Sequence, residues 1–114
     1  MNIFDFQCRC GKCLDVQPDM NLVIVVFDIE LHFRKELNIT SGYRCPAHSV
    51  AVGSTATSQH TKGTAVDCYI PGVEYAFLHD FVLSRWPNSL GVGIYNSHVH
   101  IDSRQNPARW DSRT

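Results

Sequence analysis

The run His98-Val99-His100-Ile101-Asp102 alternates so that two imidazoles and a carboxylate share one face and two aliphatic side chains share the other. Val99 and Ile101 belong in a core, which pushes His98, His100 and Asp102 together onto an exposed or cleft side. The run Thr64 to Ile70 follows the same parity: Val66, Cys68 and Ile70 face one way, and Asp67 stands opposite with Ala65 and Tyr69. His60 lies seven residues before Asp67, and Gly63 between them permits a sharp turn without a Cβ penalty. Two donors from a loop-strand unit and a third from another strand would form a His, Asp, His set. Three protein ligands with an open fourth position is the arrangement of a catalytic zinc. Water bound there has its pKa lowered to about 7. The competing reading makes the histidines solvated surface groups, and that is the reading for His32, His48 and His79.

The elements that must position these groups follow from periodicity. Pro18 and Asp19 signal a helix start, with Asp19 as cap. Leu22, Val26, Ile29, Phe33 and Leu37 then trace one helical face, which Val23, Val25 and Phe27 widen until the first half is almost wholly buried. Ile39 to Arg44 reads as a short strand, and Cys45 to Lys62 as a long polar loop. A second helix is expected from about Val73 to Trp86, with Val73, Phe77, Phe81 and Ser84 inward and Pro87 ending it. Leu90 to Tyr95 and His98 to Asp102 form a hairpin turning at Asn96-Ser97. The last dozen residues wrap back over the domain; the charges from Arg104 to Arg113 read as a solvated tail. Trp110 reads as core packing rather than cleft cover, with Tyr95 flanking the cleft. The expected fold is α+β: one domain over residues 1–114, a small antiparallel sheet with helices packed on one side.

Composition bounds the function. The 114 residues fit one domain, and 44% apolar with 18% charged residues is a globular balance. Ten Lys+Arg against eleven Asp+Glu argue against a nucleic-acid partner or a polybasic membrane anchor. The longest apolar run, Leu22 to Phe27, is too short to span a bilayer, and Met1 to Asp5 lacks the character of a signal peptide. The expectation is a monomer made in the cytoplasm. Five cysteines exclude a fully paired framework. Residues 1–19 read as an ordered loop holding Cys8, Cys10 and Cys13; Cys10-Gly11-Lys12-Cys13 has the spacing of one zinc knuckle, and Cys45 could complete four thiolates. Buried thiols are the favoured reading over a second zinc or a disulfide.

Three segments together resemble a known family: Ser41-Gly42-Tyr43-Arg44-Cys45-Pro46, then Ser58-Gln59-His60-Thr61-Lys62-Gly63-Thr64-Ala65-Val66-Asp67, then His98-Val99-His100-Ile101-Asp102. The chain is similar to the D-alanyl-D-alanine carboxypeptidase family of zinc peptidases. That group includes phage endolysins, the dipeptidases of vancomycin resistance and the structurally related amino-terminal domain of hedgehog. The resemblance runs from about Leu22 to Trp110 and is nearest to the small phage and bacterial branch. It implies one Zn2+ held by His60, Asp67 and His100, with Arg44 beside it to stabilise charge on the scissile carbonyl. It also implies a supporting hydrogen bond from Ser58, and a role for His98 in polarising that oxygen or moving a proton.

One position departs from the family. Several branches carry an acidic general base three residues before the last histidine, where this chain has Ser97. His98 is the nearest substitute, and Asp102 is the second candidate, although it could equally orient His100. The implied activity is hydrolysis of an amide bond in peptidoglycan stem peptides, as a D-Ala-D-Ala carboxypeptidase or an endopeptidase. A phage lysis enzyme acting in the periplasm or cell wall fits that reading. The alternatives are a zinc-binding or structural virion domain that has lost catalysis, which Ser97 permits, and a virion component without metal.

Overall fold

Asp19 opens the first helix, α1 (Met20–Phe33), and its carboxylate accepts a hydrogen bond from the Leu22 amide at 3.2 Å. One otherwise orphaned donor of the first turn is thereby satisfied. The computed structural model describes residues 6–8, 19–44, 46–53 and 59–114, so Pro18 lies outside it. Leu22, Val25, Val26 and Ile29 form the buried face of α1. Phe27 is 54% exposed and Ile24 58%, which corrects the expectation of an almost wholly buried first half. A helix packed on one side of a sheet buries a stripe, and the apolar residues of α1 outnumber that stripe. The helix also ends early, at Arg34 in the left-handed conformation (φ 54°). Leu37 is buried from the connection beyond, where its amide donates to the Glu30 carboxylate at 2.8 Å.

Five strands follow: β1 (Asn38–Ser41), β2 (Ala65–Tyr69), β3 (Gly91–Ile94), β4 (Val99–Asp102) and β5 (Ala108–Asp111). They form one sheet in the order β1-β2-β4-β3-β5. The first three pairings are antiparallel, but β5 runs parallel to β3, so the sheet is mixed rather than antiparallel throughout. The expected solvated tail is thus a strand. Arg109 shows why: its guanidinium donates to the carbonyls of Trp86, Ser89 and Leu90. Those carbonyls include the end of the second long helix, α3 (Tyr75–Arg85), where acceptors lack helical partners.

The inner face of α3 is Leu78 and Val82 with Phe81 packed partly buried beside them, while Phe77 is 62% exposed, so the expected face is shifted by one residue. The helix starts only after Glu74, and Val73 packs against the core from the preceding turn, its amide bonded to the Ile70 carbonyl at 3.0 Å. Within the segment expected as loop lie a short helix, α2 (Pro46–Ala51), and a 3₁₀ turn, Gln59–Lys62. The core packs α1 and α3 against Val66, Cys68, Val92, Ile94, Val99 and Ile101, one alternating face of the sheet. The opposite face carries the row Asp67, His100, Gly93 and Trp110, in register across four strands.

Candidate metal centre

The alternation that buries Val66 and Cys68 lifts Asp67 onto the open face of β2, and Val99 with Ile101 does the same for His100 on β4. Direct pairing of Asp67 with His100 sets their side chains side by side, 3.0 Å from Oδ1 to Nδ1. His60 arrives from the 3₁₀ turn, its Nε2 3.2 Å from the same oxygen. Ligand atoms of the three residues all lie within 4.8 Å of one another.

The tautomers decide what that convergence means. His60 Nδ1 lies 2.8 Å from the Gly42 carbonyl, which only accepts, so Nδ1 carries the proton and Nε2 is left as a lone pair. His100 Nε2 lies 2.8 Å from Asp102 Oδ2, which leaves Nδ1 as a lone pair in the same way. With both rings neutral, two lone pairs would meet at one carboxylate oxygen with no proton to share. A divalent cation among them resolves the conflict, and the nitrogen-and-oxygen set fits zinc. Burial acts to raise the Asp67 carboxyl, but hydrogen bonds with His100 and His60 outweigh it and hold the group well below the carboxylate range. Burial opposes protonation of His100, yet its bonds to Asp102 and Asp67 prevail and raise its pKa.

Asp102 is fully buried and heavily engaged. Besides His100 it accepts from the Gly91 amide at 3.1 Å and from Arg104 Nε and an Arg104 terminal nitrogen, each at 2.7 Å. Burial would raise its carboxyl, and the bonds from His100 and Arg104 more than reverse that. So held, Asp102 is suited to orienting His100 and poorly suited to taking up a proton.

The three donors open into a cleft of about 390 Å³ that Arg44, Gln59, Tyr95, His98, Arg104 and Trp110 also line. The Arg44 amide donates to the His60 carbonyl at 3.0 Å, tying guanidinium and imidazole together through the backbone. Arg44 Nε is buried without a hydrogen-bond partner among the described residues. His98 stacks on Tyr95, ring centroids 4.4 Å apart, with Nδ1 3.0 Å from Ser97 Oγ and Nε2 3.9 Å from Asp67 Oδ1. Burial lowers its pKa, only partly offset by Asp67. His60, Asp67, His98, His100 and Arg44 therefore line one cleft, and Asp102 lies buried behind His100.

Sequence reasoning missed Arg104 and the Gly42 carbonyl, and it set Trp110 in the core. Trp110 instead flanks His100, 5.1 Å between centroids, and donates its indole N–H to the Tyr95 hydroxyl at 2.8 Å. A signal was present in the alternate glycines Gly91 and Gly93, which mark a strand face where neighbours approach closely. A Cβ on Gly93 would fall 2.2 Å from Trp110 Nε1. For the second zinc, Cys10, Cys13 and Cys45 lie outside the described residues, as does Ser58. Cys8 is half-buried; Cys68 is buried, with a thiol pKa raised by that burial.

The Peptidase M15 family model matches residues 2–102. The chain belongs to the peptidase M15 family. This M15 chain is also similar to the peptidoglycan L,D-endopeptidase MepK of Escherichia coli (strain K12), 28% identical over 114 residues, covering 96% of this chain and 62% of the relative. MepK of Escherichia coli O157:H7 and of Shigella flexneri match equally. The M15 chain thus spans about six-tenths of the length of the curated relatives it matches. No solved structure matches it significantly. No helix among its described residues is long and apolar enough to cross a membrane.

Proposed function

We propose that the chain is a zinc-dependent endopeptidase that hydrolyses an amide bond in peptidoglycan peptides, with His60, Asp67 and His100 as metal ligands. The convergence of two imidazole lone pairs on the Asp67 carboxylate carries the proposal, because no arrangement of neutral rings satisfies it without a cation. The M15 membership supports peptide hydrolysis, and the similarity to MepK supports the wall substrate and the endopeptidase mode. When bound, the metal supplies Lewis acidity toward a carbonyl and polarises water.

The chain's own side chains supply the rest. Ser97 Oγ lies 3.0 Å from His98 Nδ1, so the other ring nitrogen, Nε2, faces the cleft beside Asp67, where His98 takes the proton of the attacking water and returns it to the departing amine. Ser97 thus orients the base at the position where several branches carry the base itself. Arg44 holds the charge that grows on the scissile oxygen. A fixed donor of this kind is worth about 3 kcal/mol in a water-excluded site. Asp102, clamped by Arg104, keeps His100 in the tautomer a metal needs.

The test combines metal analysis with digestion of purified cell wall and mass spectrometry of the products. The expected result is about one zinc per chain and release of internal peptides. Loss of only a terminal residue would make the enzyme a carboxypeptidase, and a zinc-loaded protein that releases nothing would favour the inactive binding domain that Ser97 permits.

A further inference from the structure

A second cleft, about 490 Å³, adjoins the metal cleft across a single shared side chain, Tyr95. It lies at the C-terminal ends of β2 and β3, where Tyr69 and Tyr75 meet edge to face with centroids 6.5 Å apart. Its size suits a ligand segment of several heavy-atom groups. The two clefts differ in charge. The metal cleft carries the guanidinium of Arg44 and the metal-binding face of Asp67, while Arg104 is held by Asp102. The second combines three tyrosines, an apolar floor that includes Ile94, and the Glu74 carboxylate. Glu74 stands at the N-cap position of α3 yet makes no side-chain cap hydrogen bond. Arg113 also lines this cleft, but Asp111 holds its guanidinium through paired contacts at 2.6 and 3.0 Å. The Lys35 ammonium lies outside the lining, at the Gly72 rim.

We propose that this second cleft is a substrate subsite that takes an aliphatic side chain ending in a primary ammonium, on the part of the peptide that runs past Tyr95 from the scissile bond. Tyrosine faces receive the aliphatic stem and attract the cation, and Glu74 provides its counter-charge. A substrate that spans both clefts therefore presents its carbonyl to Arg44 and its amine to the tyrosines. The inference rests on the peptidase reading for the direction of the chain, not for the chemistry of the cleft.

The probe is a synthetic tetrapeptide with one side-chain amine, titrated into the metal-free 114-residue chain and followed by amide resonances, beside a twin whose amine is acetylated. Shifts are expected at Tyr69, Glu74 and Tyr75, with the twin binding roughly threefold to fivefold more weakly, as for an exposed ion pair. Glu74→Gln should weaken the amine peptide by that factor and leave the twin unchanged, whereas Lys35→Met should tighten the amine peptide. Equal binding of the two peptides, shifts confined to other residues, or no shift at millimolar peptide would overturn the subsite. Amine-selective titration in a protein that digests no cell wall would count against the proposed function alone; digestion without amine selectivity would count against this cleft alone.

Discussion

His98 owes its chemistry to two neighbours. Ser97 Oγ fixes one ring nitrogen and the Tyr95 ring supports its face, leaving Nε2 toward the cleft. His98→Ala should keep its zinc and lose at least roughly 100-fold in turnover. Ser97→Ala should lose only about threefold to tenfold, the worth of one neutral hydrogen bond. Single-turnover kinetics at matched zinc content measure both, and unchanged turnover in His98→Ala would remove it from the mechanism. Asp102 acts through another residue. Asp102→Asn should weaken zinc binding by about 10- to 100-fold in competition with a chelator. Equal affinity in that variant would show that His100 needs no partner.

At the scale of elements, β3 matters for what it lacks. Gly91 and Gly93 face the site side of the sheet, and a Cβ on Gly91 would fall 2.3 Å from Asp102 Oδ2. Gly91→Ala must therefore displace a carboxylate that Arg104 clamps. The expected outcome in urea unfolding is a loss of about 1–3 kcal/mol together with weaker zinc binding. Gly93→Ala should cost a similar amount by displacing Trp110. The β5 strand depends on Arg109 in the same concrete sense, because that guanidinium satisfies the carbonyls where α3 gives way to β3. Parallel pairing of β5 with β3 brings Trp110 into the row of Asp67 and His100.

The whole molecule couples the site to stability. Asp67 and Asp102 both have carboxyl pKa values held far below the ordinary 3.8 in the metal-free fold. A depressed carboxyl contributes stability above its unfolded pKa, and that contribution is lost as pH falls. The metal-free protein should lose Tm most steeply below about pH 4, and Asp102→Asn should show a shallower acid loss. Zinc at a thousandfold excess over its Kd adds about 4 kcal/mol, which should raise Tm by roughly 15 °C at neutral pH. Calorimetry across a pH series with and without zinc checks both, and a Tm indifferent to zinc would count against the metal centre.

Much of this was legible in the chain itself. Strand parity put Asp67, His98, His100 and Asp102 on the side away from the core, because alternation is a local property that needs no partner strand. The Asp19 cap and the α+β class followed from local signals too. The phase of α3 did not, since Phe77 and Leu78 are both apolar and only the position of the sheet chooses between them. Nor did β5, whose short run pairs because β3 offers it an edge. Which lone pair each imidazole presents was likewise decided by distant atoms, the Gly42 carbonyl and the Asp102 carboxylate. Residue type and local period determine which groups are available, whereas register, tautomer and the placing of Arg104 and Trp110 depend on contacts between segments far apart in the chain.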